Sequence, residues 1–177
     1  MTRALIVFAS LFWEICIFRK GPRDVPAVSA LMWISLFGYA IAGLIILSFD
    51  FVPIDSIIAA TTDAAFLLLS TAVLLTLFRH PERTRQTVSA MAGCGIIISL
   101  IAVPVAAWLS HGEANNLDIT VPGLIWLGLF GWNVLISSRI LQQALSVNLI
   151  TALATTLTMV FINQKLINLL LPSANGG

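Results

Sequence analysis

Five apolar stretches, each long enough to cross a lipid bilayer, dominate this chain of 177 residues. They cover residues 26–47, 56–78, 88–109, 121–141 and 147–171. A bilayer has a hydrocarbon core about 30 Å thick, which a helix of about 20 apolar residues crosses. In the whole chain 59% of residues are hydrophobic and 10% are charged, whereas a soluble domain has about 25% charged residues. The sequence therefore predicts an all-α polytopic bundle of five transmembrane helices, with residues 1–177 forming one integral membrane domain.

A sixth apolar run, residues 4–18, precedes these spans and is shorter. As a helix it reaches roughly 22 Å, less than the hydrocarbon thickness. Arg3, Ser10 and Glu14 are spaced to share one helix face, which favours an N-terminal interfacial, half-membrane helix over a spanning one. A cleaved signal peptide is rejected, because a signal peptide has its cations before the apolar region and here they follow at residues 19–23.

The most polar run in the first half of the chain is RKGPRDVP, residues 19–26. Gly21 and Pro22 end the preceding helix, because glycine supplies unusual backbone dihedrals and proline cannot continue a helix. Asp24 is predicted to cap the first span, with Pro26 in its first turn. We call residues 19–26 the elbow.

The distribution of charge predicts the orientation of the chain. Eight of the nine cations precede the first span, lie between the second and third, or end the fourth; they are Arg3, Arg19, Lys20, Arg23, Arg79, Arg83, Arg85 and Arg139. The two other connections hold Asp50, Asp55, Glu113 and Asp118 and no lysine or arginine. The positive-inside rule therefore places the N-terminus in the cytoplasm and, after five spans, the C-terminus on the other side.

Two charged residues interrupt the spans at similar depth, Asp63 in the second and Lys165 in the fifth. Charges inside a bilayer cost about 2.5–3.5 kcal/mol each on insertion scales, so opposite charges at one depth invite pairing. One interpretation is an ion-coupled or proton-linked site, and the other is a structural Asp63–Lys165 bridge or a lysine that extends to the membrane surface. The polar residues that could extend this site are Asn163, Gln164, Asn168, Thr61, Thr62 and Asn133.

Small residues predict close helix contacts in three spans. They are Gly38, Ala42, Gly43, Ser89, Gly93, Gly95, Gly123, Gly128 and Gly131. Pro104 is predicted to kink the third span. Cys16 and Cys94, in separate apolar segments, are expected to be small buried hydrophobic residues rather than a disulfide.

The sequence offers no chemistry typical of an enzyme. His80 and His111 fall in connections on opposite sides, and there is no phosphate-binding glycine loop, nucleophile elbow or zinc motif. We therefore expect a non-enzymatic protein without cofactor or metal. A net charge of +1 also gives no general attraction for nucleic acid.

The elbow resembles an Arg-x-Gly-Pro-x-Asp-x-Pro signature of small, uncharacterised proteobacterial inner-membrane proteins. The resemblance extends to Arg79–Arg83 with Gln86 and Thr87, and to WNVLISSRILQQA, residues 132–144. It implies a bacterial inner membrane, and the orientation predicted from the cations then places the C-terminus in the periplasm. Those proteins are similar in size and span pattern to the five-span Yip-type family, whose eukaryotic members are Rab-interacting traffic factors. The Asp-Leu-Tyr-Gly-Pro motif of those members is absent here, so Rab binding is not carried over.

Two functions are consistent with these features. The first is a Yip-like scaffold or accessory factor whose cationic cytoplasmic surface meets anionic lipid headgroups, a membrane-protein partner or a second copy of the chain. The candidate residues of that surface are Arg19, Lys20, Arg23, Asp24, Arg79, Arg83 and Arg85. The alternative is a small transporter or channel that uses Asp63 and Lys165.

Overall fold

The computed structural model describes residues 2–49 and 51–171, with side chains from residue 7 onward. Six α-helices occupy these ranges: α1 (Thr2–Cys16), α2 (Ser29–Leu47), α3 (Pro53–Leu77), α4 (Thr84–Ala114), α5 (Thr120–Leu145) and α6 (Leu149–Leu170). Two short 3₁₀ turns, Pro22–Asp24 and Pro81–Arg83, lie in the connections. The side chain of Arg3, Asp50 and the tail 172–177 fall outside the described residues.

Helices α2 to α6 are long and apolar enough to cross a membrane, and α1 is a shorter apolar helix. Large apolar side chains cover the outside of the bundle, as at Leu77, which is 71% exposed, and Ile150, which is 80% exposed. Apolar surface on this scale requires lipid, and helices satisfy their own backbone hydrogen bonds there. The predicted all-helical, multi-pass membrane fold is confirmed.

The helices extend beyond several predicted limits. Helix α4 runs from Thr84 to Ala114, where the apolar pattern indicated residues 88–109, and it continues through Pro104. Helix α3 begins at Pro53 rather than at residue 56, because proline suits a first helical turn. Polar residues at helix ends keep helical hydrogen bonds outside the hydrocarbon, so hydropathy alone underestimates length.

Helix α4 is the centre of the bundle. All nine residues from 87 to 95 are buried, which requires neighbours on every side of this helix segment. Tyr39 of α2 lies against Gly95, and Thr71 of α3 lies 3.8 Å, oxygen to sulfur, from Met91. The first half of α4 is therefore the core around which α1, α2, α3 and α5 pack, while α6 packs on α5 and α3.

Helix α1 packs into this core through its C-terminal half. Phe12, which is 8% exposed, lies against Gly93 of α4, and the indole Nε1 of Trp132 on α5 donates to the carbonyl of Cys16 at 3.1 Å. Cys16 and Cys94 are both buried thiols, as predicted. The polar face of α1 suggested a helix held at the headgroup level; the buried face adds a fixed contact with α4 and α5.

Glycines mark close helix contacts at only some of the predicted positions. A Cβ at Gly38 or Gly95 would lie within 3 Å of a side chain from the facing helix, Ile96 or Tyr39 respectively. The predictions for four glycines are wrong: among the residues that the structure describes, a Cβ would meet nothing within 4 Å at Gly43, Gly123, Gly128 and Gly131. Small size permits an approach only where the residue faces another helix.

Four helices end in non-glycine residues with left-handed dihedrals: Phe18, Arg79, Asn116 and Ser146. Each end is closed by a hydrogen bond from the following N–H back to a carbonyl five residues earlier, as from His80 to Leu75 at 2.7 Å. This arrangement satisfies carbonyls that have no partner within the helix. It reverses the chain sharply, which keeps the connections short.

Candidate functional site

Three connections meet at one end of the bundle, which we call the cationic end. They are residues 17–28, 78–83 and 146–148. Gln86 at the start of α4 donates from Nε2 to the carbonyl of Val25 at 3.0 Å, which joins the first connection to the helix that follows the second. Arg83 joins the second connection to the end of α5 through a 3.0 Å bond from Nη1 to the carbonyl of Ala144. Cations separated in sequence are thus gathered on one surface.

The elbow is a closed turn held by its own aspartate. The backbone N–H of Gly21 donates to Oδ2 of Asp24 at 2.9 Å, and the N–H of Asp24 donates back to the carbonyl of Gly21 at 3.1 Å. The prediction that Asp24 caps the first span and that Pro26 lies in its first turn is wrong, because the helix begins at Ser29 and Val28 occupies the cap position without a side-chain bond. Asp24 instead stabilises the turn that precedes the span.

Gly21 lies close to α5, and its dihedrals do not require glycine. Its φ of −132° is open to any residue. A Cβ there would collide with the side-chain amide of Gln143 on α5. The missing side chain lets the elbow lie directly against Gln143, beside a cavity of about 180 Å³ that Gly21, Lys20 and Arg139 line.

Two of the predicted surface cations are engaged within the protein. Arg83 contacts the Ala144 carbonyl and, at 3.1 Å, the hydroxyl of Ser146. Lys20 forms an ion pair with Glu14 at 2.6 Å, and this hydrogen bond raises the pKa of the exposed Lys20 ammonium. Arg83 therefore ties its connection to the end of α5, whereas the exposed Lys20–Glu14 pair contributes little stability.

The other predicted cations of this end point outward. Arg19, Arg23, Arg79 and Arg85 are exposed, as is Asp24 beside them. Arg139 is also exposed, and its Nη1 donates to Gln142 at 3.2 Å. The cationic end thus presents a group of arginines at the level where membrane-crossing helices stop.

The second site is an intramembrane carboxylate cluster formed by Tyr39, Asp63 and Asn163. The Tyr39 hydroxyl donates to Asp63 Oδ2 at 2.6 Å, and Asn163 Nδ2 donates to Asp63 Oδ1 at 2.6 Å. These side chains come from α2, α3 and α6, and all three are partly buried. Asp63 lies ten residues into α3, roughly 15 Å along its axis.

Lys165 does not take part in this cluster. Its Nζ lies over the ring of Phe161, 5.5 Å from the ring centre, on the exposed face of α6. Within residues 7–49 and 51–171, where side chains are described, Asp63 forms no ion pair. The interpretation as an Asp63–Lys165 bridge is therefore wrong. Residues 163 and 165 point about 200° apart on a helix, so only one of them can face Asp63.

Gln164 and Asn168 are also placed outside the cluster. They bond to each other at 3.3 Å on the exposed side of α6. Of the polar residues named around Lys165, only Asn163 reaches the carboxylate. Tyr39 was not among the predicted site residues, although it is the single tyrosine of the chain and lies in an apolar span. Its need for a hydroxyl partner was the available signal.

Two cavities border the cluster. One of about 270 Å³ is lined by residues of α2, α3, α4, α5 and α6, and one of about 130 Å³ lies towards Met91 and Thr156. Both are bordered by Tyr39, Asp63, Phe130, Asn133 and Asn163. The carboxylate therefore lies next to partly open space between the helices rather than sealed within packed side chains.

No family model, curated protein or solved structure matches the chain. The resemblance of the elbow to a proteobacterial inner-membrane signature stays a prediction. Interpretation of the two sites thus depends on their own chemistry.

Each site has a defined chemical capacity. The cationic end can attract anions and phosphate groups. The carboxylate cluster can bind hydrogen-bond donors and positive charge. Among the described residues, no three of the histidine, cysteine, aspartate and glutamate side chains are grouped in a way that could hold a metal ion.

Proposed function

We propose that this chain is a non-enzymatic accessory or scaffold protein of the bacterial inner membrane, with its cationic end in the cytoplasm. The observation that supports this function is the convergence of the elbow and the connections at 78–83 and 146–148 on one surface with exposed arginines. The resemblance to the Yip-type family fits a protein of this kind, in which a small bundle presents a cytoplasmic surface. The N-terminus is then cytoplasmic and the C-terminus periplasmic.

Anionic lipid headgroups are the first ligand of this surface. Each lysine or arginine near an anionic leaflet contributes on the order of 1 kcal/mol to association. Arg19, Arg23 and Arg85 are exposed and form no side-chain hydrogen bond or ion pair within the described part of the chain. A membrane-protein partner or a second copy of the chain would meet the same residues.

The test replaces Arg19, Arg23 and Arg85 together by glutamine. Lys20 and Arg83, which have contacts within the protein, are left unchanged. The variant, in mixed micelles, is expected to lose most of its preference for phosphatidylglycerol over phosphatidylcholine, measured by native mass spectrometry of retained lipids. Lys165→Gln, which removes a cation from α6 outside the cationic end, is expected to keep that preference. If the triple variant retains phosphatidylglycerol, membrane orientation and co-purifying partners as wild type does, the proposal fails.

A second function, binding or transport of a small solute within the bundle, is favoured by the cavities beside Asp63. This second function would depend on Asp63 and Asn163 and, unlike the transporter expected from the sequence, not on Lys165. Uptake of the small solute into proteoliposomes is expected to fall in the Asp63→Asn variant and to persist in the Lys165→Met variant. Equal uptake by both variants and wild type would contradict a role for the cluster in transport.

A further inference from the structure

The carboxylate of Asp63 has two neutral hydrogen-bond donors and no neighbouring cation among the described side chains. Tyr39 and Asn163 each approach one oxygen at 2.6 Å, and neither brings positive charge. A carboxylate in low dielectric without a paired cation is costly. Two donors already oriented towards it indicate an anion held ready for a cationic partner.

The side-chain oxygen of Asn163 also favours a cationic ligand. The side-chain oxygen of Asn163 is buried and accepts no hydrogen bond within the described part of the chain. Buried polar atoms normally have a partner. This acceptor adds negative potential beside the carboxylate.

Aromatic faces border the larger cavity. Trp126 and Phe130 of α5 line it together with Tyr39 of α2. Such faces attract an ammonium group within about 6 Å, most strongly where water is excluded. Asn133 and Ser99 add two neutral polar groups to an otherwise apolar wall.

We propose that the 270 Å³ cavity binds a small organic cation of the amine class, with its ammonium group at Asp63 and its apolar part against Trp126 and Phe130. This inference rests on the second proposed function and specifies its ligand. The volume lies just below the range of about 300–1,000 Å³ typical of sites for drug-sized ligands, so the ligand is smaller. An inorganic cation would use the carboxylate but not the aromatic walls.

The probes are benzylammonium (benzylamine at pH 7), the neutral benzyl alcohol and the anionic benzoate. Binding to the full-length protein in non-ionic detergent is measured by isothermal titration calorimetry. Benzylammonium is expected to bind saturably and at least tenfold more tightly than benzyl alcohol, with benzoate weaker still. Asp63→Asn, which keeps an oxygen for Tyr39, is expected to remove the tenfold preference. Glu113→Gln, at the exposed end of α4, is expected to leave it unchanged.

A second variant protects the test against misfolding of Asp63→Asn. Trp126→Leu keeps the carboxylate but removes an aromatic face, and it is expected to weaken benzylammonium several-fold more than benzyl alcohol. Equal affinity for the amine and the alcohol overturns the ligand class. An unchanged preference in Asp63→Asn overturns the placement of the ammonium group at Asp63. Both results leave cavity binding in place. Saturable binding of Na⁺ without benzylammonium binding overturns the amine class. Absence of saturable binding by any probe overturns both this inference and the second proposed function.

Discussion

Asn163 of α6 donates a hydrogen bond from Nδ2 to Oδ1 of Asp63 on α3 at 2.6 Å, across 100 residues of the chain. The other carboxylate oxygen accepts from Tyr39 of α2. One side chain in α3 therefore connects three helices within the apolar part of the bundle. The cluster has a structural consequence whether or not a ligand binds there.

Tyr39→Phe is expected to lower the free energy of unfolding by about 0.5–2 kcal/mol, the range for hydrogen bonds between membrane helices and to charged groups. The ring keeps its contact with Gly95, so the loss reports on the hydroxyl. Unfolding by sodium dodecyl sulfate in mixed micelles measures this loss in the free energy of unfolding. Thr158→Val is the control, because within the described ranges this exposed hydroxyl bonds only to Ala154 in its own helix. Equal effects of the two variants would contradict a stabilising Tyr39–Asp63 bond.

The spans could be predicted from the sequence because bilayer thickness imposes a minimum length on apolar runs. The same argument identified Asp63 as an intramembrane charge. It did not identify the partner, since depth along a helix was estimated but rotation about its axis was not. Lys165 and Asn163 lie at nearly the same depth, and only the packing of α6 on α3 shows which of them faces Asp63.

The glycine pattern also did not show which glycines face another helix. Gly93 and Gly128 look alike in sequence, yet one faces Phe12 and the other faces open space. The role of Arg83 was also hidden, because its partners at the end of α5 are about 60 residues away in the chain. Contacts set by tertiary packing carry no local sequence signal.

Gly93→Val is expected to destabilise the protein by about 1–3 kcal/mol, the usual cost of overpacking. A Cβ at this position would lie 2.5 Å from ring atoms of Phe12, so α1 must shift. Gly128→Val is the matched control on α5, where the same addition meets nothing within 4 Å. Detergent unfolding compares the two. In a Phe12→Ala background the cost of Gly93→Val should shrink, and an undiminished cost would show that Phe12 is not the obstacle.

Arg83→Gln is expected to destabilise the fold by about 1–3 kcal/mol, because its guanidinium satisfies carbonyl and hydroxyl oxygens at the end of α5. Arg85→Gln removes the same charge two residues later from an exposed side chain, and its effect should stay within about 0.5 kcal/mol. Thermal unfolding in detergent compares the stabilities of the two variants. Similar losses in both variants would mean that charge, and not the contact with α5, is responsible.

Asp118 provides a pH-dependent contribution at the opposite end of the bundle. Thr120 lowers the pKa of this exposed carboxyl, first through a side-chain hydrogen bond and second through its backbone N–H, which donates to Oδ1 at 2.9 Å. A lowered folded-state pKa means that the contribution is present above the unfolded value of about 3.9 and is lost as pH falls through the folded value. Asp118→Asn should therefore be less stable than wild type at pH 7, and the difference should be smaller at pH 3.

Guanidinium unfolding in non-ionic detergent, followed by circular dichroism at both pH values, measures this difference. Glu113→Gln removes an exposed carboxylate from the preceding helix end and serves as the charge-matched control. A gap between Asp118→Asn and wild type that is the same at pH 7 and pH 3 would contradict the prediction. The hydrogen bond from Thr120 would then stabilise the start of α5 equally with a charged or a neutral acceptor.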